Sequence, residues 1–344
     1  MNSKGPYQYR IDRVNLENFR YFRNSSGLRV IELDPASCNV ITSYRKSGKT
    51  SVMKAICLGI KQVFFDQDVL FWDYTSDVSK PVVSVDMTVA GEAIKWHTFQ
   101  GRSHVVEDDK TEYIKNILHE KWIARETLPV FGYYGDDPRP CHVSFEDEMF
   151  IGYHECFSPG FHKLRDWFKD PLEKSRCSGV SKFQIVFSAI KFLFDEMTAF
   201  ENGSDALSKI RDLHADWSID LTQDLKSLHA LNQIYDEASP EMEKILNITS
   251  DIARRCVQLN PQLGWLACQL TPGIIMIDET RLWSSLHQIF IIDKLMDAFP
   301  LIQFINCTMN YNHSYESINN IFGDALNISH GFKTHCLDPL PKKE

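Results

Sequence analysis

Two short runs combine residue types and spacing suited to phosphate chemistry. Ser43-Tyr44-Arg45-Lys46-Ser47-Gly48-Lys49-Thr50 ends in the last three positions of the phosphate-loop template G-x-x-x-x-G-K-[ST], with Ser43 replacing the first glycine. Backbone N–H groups around Gly48 and the start of a following helix can surround an anion. Lys49 would reach the β- and γ-phosphates, and the Thr50 hydroxyl would sit on Mg²⁺. Arg45, Lys46, Ser47 and Ser51 complete the candidate nucleotide contacts. Ser43 is tolerated only if its position needs no positive φ. The second run, Ile274-Ile275-Met276-Ile277-Asp278-Glu279, is an apolar strand ending in two acids. Asp278 would hold Mg²⁺ at the carboxyl edge of a sheet, where open α/β folds bind ligands, and Glu279 could polarise an attacking water. Alone, such a pair is a strand ending in solvated acids; paired with a phosphate loop it gains a purpose.

Both runs need strands and helices to position them. Cys38 to Thr42 reads as a short buried strand, and Lys49 to Phe65 as a helix with Val52, Ala55, Ile56, Gly59, Ile60 and Phe64 on one stripe. Before them, Tyr9 to Phe22 and Leu28 to Leu33 alternate as a β-hairpin around Asn24-Ser25-Ser26-Gly27. Pro81 to His97 returns to period two around an Ala90-Gly91-Glu92 turn, and Pro129 to Tyr134 is a compact apolar strand. Helical signals run from about Phe161 to Leu213, broken at Asn202-Gly203-Ser204. Ser239-Pro240 opens the clearest helix: Ser is a good N-cap, Pro suits the first helical position, and Glu241 and Glu243 complement the dipole. Met242, Ile245, Leu246, Thr249, Ile252, Ala253 and Cys256 share its apolar face, and Asn260-Pro261 stops it. A helix from about Leu282 to Phe299 and a strand from Leu301 to Cys307 follow the acidic strand, so strand–helix–strand predicts a parallel sheet.

Composition bounds the remaining classes. The 344 residues, 43% hydrophobic and 24% charged, suit a large α/β domain with an insertion and exclude wholesale disorder. No apolar run approaches the roughly 18 residues of a membrane-spanning helix. Nine scattered cysteines with no C-x-x-C, and a polar N-terminus, predict reduced thiols and a cytoplasmic protein. A net charge of −9 disfavours broad electrostatic coating of nucleic acid, although Arg10, Arg13, Arg20, Arg23 and Arg29 form a local basic strip. That strip is either a solvated strand face or a nucleic-acid contact. Trp167, Phe168 and the Phe183 to Phe194 cluster read as helix core rather than a base-stacking platform. Asp136, Asp137 and His313 read as solvated loop residues, with a place near the metal or the phosphate as the alternative.

The N-terminal Arg10-Ile11-Asp12-Arg13-Val14-Asn15-Leu16-Glu17-Asn18-Phe19-Arg20 resembles the opening strand of RecF/SMC-like ABC ATPase heads. Leu128 to Gly135, Asp251 to Pro261, Thr271-Pro272-Gly273 leading into Asp278-Glu279, and Phe299 to Ile305 resemble a narrower group. That group is the AAA-type ATPases of anti-phage systems, the PtuA type of Septu and retron-associated systems. The likeness spans about residues 8 to 315, and the segment from about 140 to 230 matches poorly. It implies a P-loop NTPase fold of ABC/RecF-like head type, with a mixed sheet and a helical insertion. The expected division is an N-terminal ATPase lobe at 1–135, a mainly helical insertion at 136–235 and a C-terminal lobe with the Asp-Glu strand at 236–344.

The departures from that group shape the expected activity. Where it carries S-D-G for contacting the opposing subunit's γ-phosphate, this chain has Ser239-Pro240-Glu241, which removes an N–H and adds a negative charge. Its L-H-L-H-P run is Leu282-Trp283-Ser284-Ser285-Leu286 here. Its switch histidine aligns with Met309 in Cys307-Thr308-Met309-Asn310, and a thioether cannot relay orientation to water. With Lys49-Thr50 and Asp278-Glu279 intact, the resemblance implies binding of ATP and Mg²⁺ with slow or lost hydrolysis, since losing a positioning or acid–base group costs on the order of 10²–10⁴ in rate. It also implies homo-oligomers and an HNH-type nuclease or other effector as partner, with DNA or RNA as a further ligand. Two other readings stand beside it: a nucleotide-free scaffold, and a RecF-like DNA-repair ATPase.

Overall fold

The computed structural model describes residues 7–19, 22, 28–43, 48–65, 82–99, 102–105, 108–135, 152–153, 156–157, 176–177, 180–201, 235–236, 238, 240–278, 285–309 and 331–337. Within them the architecture is the α/β one expected, built on an antiparallel and a parallel sheet of five strands each. The Asn202-Gly203-Ser204 break, Trp167, Phe168, Asp136, Asp137, His313, Arg20 and Arg23 lie outside the described residues, as does most of 136–235.

Strands β1 (Arg10–Glu17) and β2 (Arg29–Glu32) form the predicted hairpin, with Val14 opposite Ile31. β4 (Val82–Val89) and β5 (Glu92–Phe99) turn at Ala90-Gly91, and β6 (Arg102–Val105) completes the order β2-β1-β4-β5-β6. Alternation, reset on β1 by a register shift between Ile11 and Arg13, sends Ile11, Val14, Leu16, Val83, Val85, Met87 and Trp96 into the core. The parallel sheet joins β3 (Cys38–Ser43), β7 (Val130–Tyr134), β10 (Gly273–Ile277), β11 (Ile302–Met309) and β12 (Phe332–Cys336) in the order β12-β3-β11-β10-β7. β7 and β10 are buried along their whole length, as expected of strands covered on both faces.

Helix α1 (Lys49–Phe65) packs against strands of both sheets. The single apolar stripe predicted for it is therefore too narrow: Met53, Cys57 and Val63 are buried as well, because an enclosed helix has no solvent face to spare. A Cβ on Gly59 would lie 3.3 Å from both Trp96 Cε3 and Val85 Cβ, which shows how closely α1 approaches β4 and β5. α2 (Asp108–Ile123) packs beside α1. Within the stretch read as helical, Arg176–Cys177 (β8) and Val180–Ser181 (β9) instead pair antiparallel, with Arg176 opposite Ser181 and Cys177 opposite Val180. α3 (Lys182–Glu201) follows directly.

The long helix α4 (Pro240–Leu259) starts on proline and buries Ile245, Leu246, Thr249, Ile252, Ala253 and Cys256. A 3₁₀ turn (Pro261–Leu266) and a short α5 (Ala267–Leu270) lead to β10, and α6 (Ser285–Ala298) connects β10 to β11 as a parallel crossover. Two buried amides lock these layers together. Gln303 of β11 accepts from the Ile11 N–H (2.8 Å) and donates to the Ile11 carbonyl (3.0 Å), joining the two sheets. Asn260, at the end of α4, accepts from Leu128 N–H (2.7 Å) and donates to Leu128 O and Thr271 Oγ1 (2.9 Å each). Among the described residues no helix is long and apolar enough to cross a membrane.

Candidate functional site

The parallel sheet determines where the two sequence runs meet. β3 delivers the chain to the loop, and β10 ends at Ile277, immediately before Asp278; β11 lies between them, with Met309 opposite Ser43 and Asn306 opposite Ile277. Because all three strands are parallel, their carboxyl ends share one edge of the sheet. β3 and β10 stand two interstrand spacings apart, about 10 Å.

On the phosphate-loop side, Ser43 is the last residue of β3. Among the described residues the non-glycine residues with positive φ are Asn18, Ala90 and Arg125, so Ser43 sits in extended backbone and no glycine is required there. Gly48 does need its freedom, with φ 94° immediately before α1. Its carbonyl accepts the Val52 N–H at 3.1 Å, so the first turn of α1 begins at the glycine. Lys49 and Thr50, at the start of α1, are half-buried, and Ser51 is buried. No acidic residue occupies the first turn of α1, which leaves its positive dipole end uncompensated from within the helix. Arg45, Lys46 and Ser47 lie outside the described residues.

On the acidic side, Asp278 is 2% exposed. Its N–H donates to Tyr134 O (2.8 Å), so the chain remains hooked to β7 beyond the end of β10. The Tyr133 hydroxyl donates to Asp278 Oδ2 at 3.1 Å. Burial, then the charge of Asp278, with Cys57 and Cys307 nearby, pushes the Tyr133 phenol far above its ordinary value, so it stays a donor at any physiological pH. A Cβ on Gly135 would lie 2.5 Å from the Tyr133 hydroxyl oxygen and 3.2 Å from Asp278 Cβ; only glycine fits beside this pair. Glu279 lies outside the described residues, and of Met309 the backbone strand position is described.

Tyr133 is a site residue that the sequence reading did not single out. Within Val130-Phe131-Gly132-Tyr133-Tyr134 it looks like one more core aromatic, and nothing local separates it from Tyr134. The two point to opposite faces of the sheet. Tyr134 donates to Asp251 Oδ2 (3.0 Å) on α4. There Arg255 donates to Asp251 Oδ2 (2.7 Å) and to Gly152 O (2.8 Å), and Arg254 donates to Asp251 Oδ1 (2.5 Å). Burial raises the Asp251 carboxyl, but Arg255 and Arg254 overrule it and hold it down to about 2.

The donor set fits a magnesium nucleotide. A glycine with positive φ, a helix N-terminus, a lysine and a hydroxyl lie on one strand–loop–helix unit, and a carboxylate lies on a strand of the same sheet edge. Magnesium keeps several waters and takes few protein ligands, which suits the Thr50 hydroxyl and the Asp278 carboxylate. Among the described residues no cluster of three or more His, Cys, Asp or Glu side chains could hold a different metal. The basic strip is partly neutralised: Arg10 pairs with Asp12 at 2.7 Å and Arg13 with Glu32 at 2.6 Å.

No family model and no curated protein matches the sequence. Solved structures do show similarity. The SMC head domain from Thermotoga maritima is 12% identical, with 88% of this chain and 89% of that chain covered at a TM-score of 0.42. The Smc head domain from Pyrococcus furiosus, bound to the C-terminal domain of ScpA, is 10% identical, covers 88% and 90%, and has a TM-score of 0.35. The recombination mediator RecF with ATP is 10% identical, covers 89% and 95%, and has a TM-score of 0.37.

Proposed function

We propose that this chain is an ABC/RecF-like ATPase head that binds ATP with Mg²⁺ and turns it over slowly or not at all. In this reading segments 1–135 and 236–344 build the head together, around the insertion at 136–235. The observation that carries it is the meeting of Gly48-Lys49-Thr50 and Asp278 at one edge of one parallel sheet. Backbone N–H groups at the start of α1 would take the phosphates, Lys49 would neutralise their charge, and Thr50 and Asp278 would hold the metal. ATP supplies the transferable phosphoryl group when bound. Tyr133 fixes Asp278 by its hydrogen bond, and Glu279 is the proposed group for orienting water.

Slow turnover follows from three departures from the group this chain resembles, at Pro240, Glu241 and Met309. Pro240, the first residue of α4, has no N–H to offer an incoming phosphate, and Glu241 adds a repelling charge. Met309, at the end of the strand between β3 and β10, cannot donate to phosphate or water. Pro240, together with Ser43 in place of the first loop glycine, favours a second reading, a scaffold that assembles without nucleotide. A RecF-like repair ATPase is the third; it rests on Arg20 and Arg23, since Arg10 and Arg13 are already paired.

The resemblance to PtuA-type ATPases supports a place in an anti-phage complex, as a homo-oligomer holding or gating an HNH-type nuclease or other effector. The test is calorimetric titration with ATP and Mg²⁺ against Lys49→Ala, combined with a phosphate-release assay. The proposal expects measurable affinity that the variant loses and release far below a competent ATPase. Equal affinity in both proteins overturns the site, and no affinity in either establishes the scaffold. Salt-sensitive DNA binding abolished by charge reversal at Arg20 and Arg23 would favour the repair reading.

A further inference from the structure

The two sheets end unevenly on one side of the molecule. β2 is the edge of the antiparallel sheet and β12 the edge of the parallel one. Between them lies an open groove of about 400 Å³, lined by Arg29, Val30, Ile31 and Glu32 of β2 and by Lys333, His335 and Leu337 on and just after β12. Lys333 and His335 alternate along β12 with Phe332, Thr334 and Cys336, so they share one face of the strand, the face that lines the groove.

Three properties of the groove define what fits it. The first is an open ladder. Leu33 N–H bonds back to Asp12 O, and Ile31 stands opposite Val14, so alternate residues of β2 turn their backbone groups toward β1. By the same period, the N–H and C=O groups of Val30 and Glu32 turn outward. The second is charge. Arg29 and Lys333 make no ion pair among the described residues, whereas Glu32, the groove's one acid, is taken by Arg13. In a chain of net charge −9 this is a local excess of positive charge. The third is an apolar contribution: Ile31 and Leu337 are buried in its floor, while Val30 and the adjacent Leu28 are 50% and 51% exposed.

We infer that this groove receives an extended acidic segment of a partner protein, which adds to β2 as a sixth strand of the antiparallel sheet. The main chain of the segment pairs with Val30 and Glu32; because Arg29 and Ile31 lie on one face of β2, the segment's side chains on that face are in turn a carboxylate toward Arg29 and Lys333 and an apolar group over Ile31 and Leu337. Strand addition takes affinity from backbone pairing and selectivity from alternate side chains, and the groove offers both. The inference does not depend on nucleotide binding: groove and phosphate loop draw on different residues.

The probe is a fluorescein-labelled octapeptide, Glu-Thr-Val-Thr-Glu-Thr-Val-Thr, which presents glutamate and valine in turn on one face and threonine on the other, followed by polarisation on the full chain. Saturable binding is expected, with a loss of about tenfold or more for Lys333→Glu and for Val30→Pro, which removes one outward N–H. Because Val30→Pro could unfold the hairpin, the peptide is also made with N-methyl groups along one edge; that peptide should not bind the unmodified protein. Three outcomes overturn the inference. In the first, the octapeptide fails to bind, or the N-methylated peptide binds equally well. In the second, inorganic phosphate or single-stranded DNA displaces the probe as readily as unlabelled peptide does, which makes the groove a general anion patch. In the third, sedimentation shows a dimer that Val30→Pro dissociates, which gives the edge to a second copy of this chain.

Discussion

Tyr133 donates its hydroxyl to Asp278 Oδ2 across 3.1 Å, so the carboxylate at the end of β10 is held by the neighbouring strand β7. A hydrogen bond to a charged group is worth about 1.5–3 kcal/mol. Tyr133→Phe should therefore weaken the Mg²⁺-dependent part of nucleotide binding about tenfold and leave binding without the metal little changed. Calorimetry with and without Mg²⁺ separates the two; equal loss in both would mean that Tyr133 serves packing rather than the carboxylate.

Gly135 makes the same contact from the other direction. The methyl of Gly135→Ala would collide with the Tyr133 hydroxyl at 2.5 Å and push it off Asp278. The expected result is the same metal-dependent loss as in Tyr133→Phe, together with a lower Tm. The double variant should lose little more affinity than either single one, because both act through one contact.

Of the parts the site is built from, α1, α4, β3, β10 and β11 were legible because each is announced locally. Apolar runs end at Asp278 and at Pro300, proline and acids open α4, and Gly-Lys-Thr sits at a strand-to-helix junction. What escaped depends on distant partners. Phe332-Lys333-Thr334-His335-Cys336 alternates too briefly, and with a threonine at its centre, to stand out in sequence, yet it is a strand because β3 lies ready beside it. Asp108–Ile123 likewise has a weak apolar stripe, and among its described side chains Ile117 and Leu118 are the buried ones. Tyr133 and Tyr134 are alike in sequence and opposite in duty, since a strand turns neighbours to opposite faces and only the third dimension says which face holds Asp278.

Asp251 tests the far side of the sheet. Removing one partner of a buried ion pair strands the other charge, at a cost of about 3–5 kcal/mol. Asp251→Asn should lower unfolding stability by that order in a denaturant titration. The carboxyl lies below its ordinary 3.8, at about 2, so its contribution is present above pH 3.8 and is lost as pH falls from there toward 2. The variant's stability should be flatter across that interval.

His335 gives a pH dependence at milder values. Its Nε2 lies 3.2 Å from Asn39 Oδ1, and burial, then the Lys333 charge, lowers it from 6.5 to about 4. The unfolded chain therefore binds a proton that the folded one refuses: stability is full above about pH 6.5 and declines as pH falls toward 4. His335→Asn should remove part of that slope in chemical denaturation at a series of pH values, and an unchanged slope would assign it to other groups.

The strand order has a consequence for synthesis on the ribosome. β3, which leads into the phosphate loop, is bordered by β11 and β12, and both leave the exit tunnel only after the whole stretch from α1 to α6 has been made. Gln303, the side chain that clasps Ile11, emerges at the same late stage. Until then a nascent chain has β3 and its lysine-bearing loop but neither flanking strand, so the sheet edge proposed to hold a triphosphate forms only after β12 has emerged.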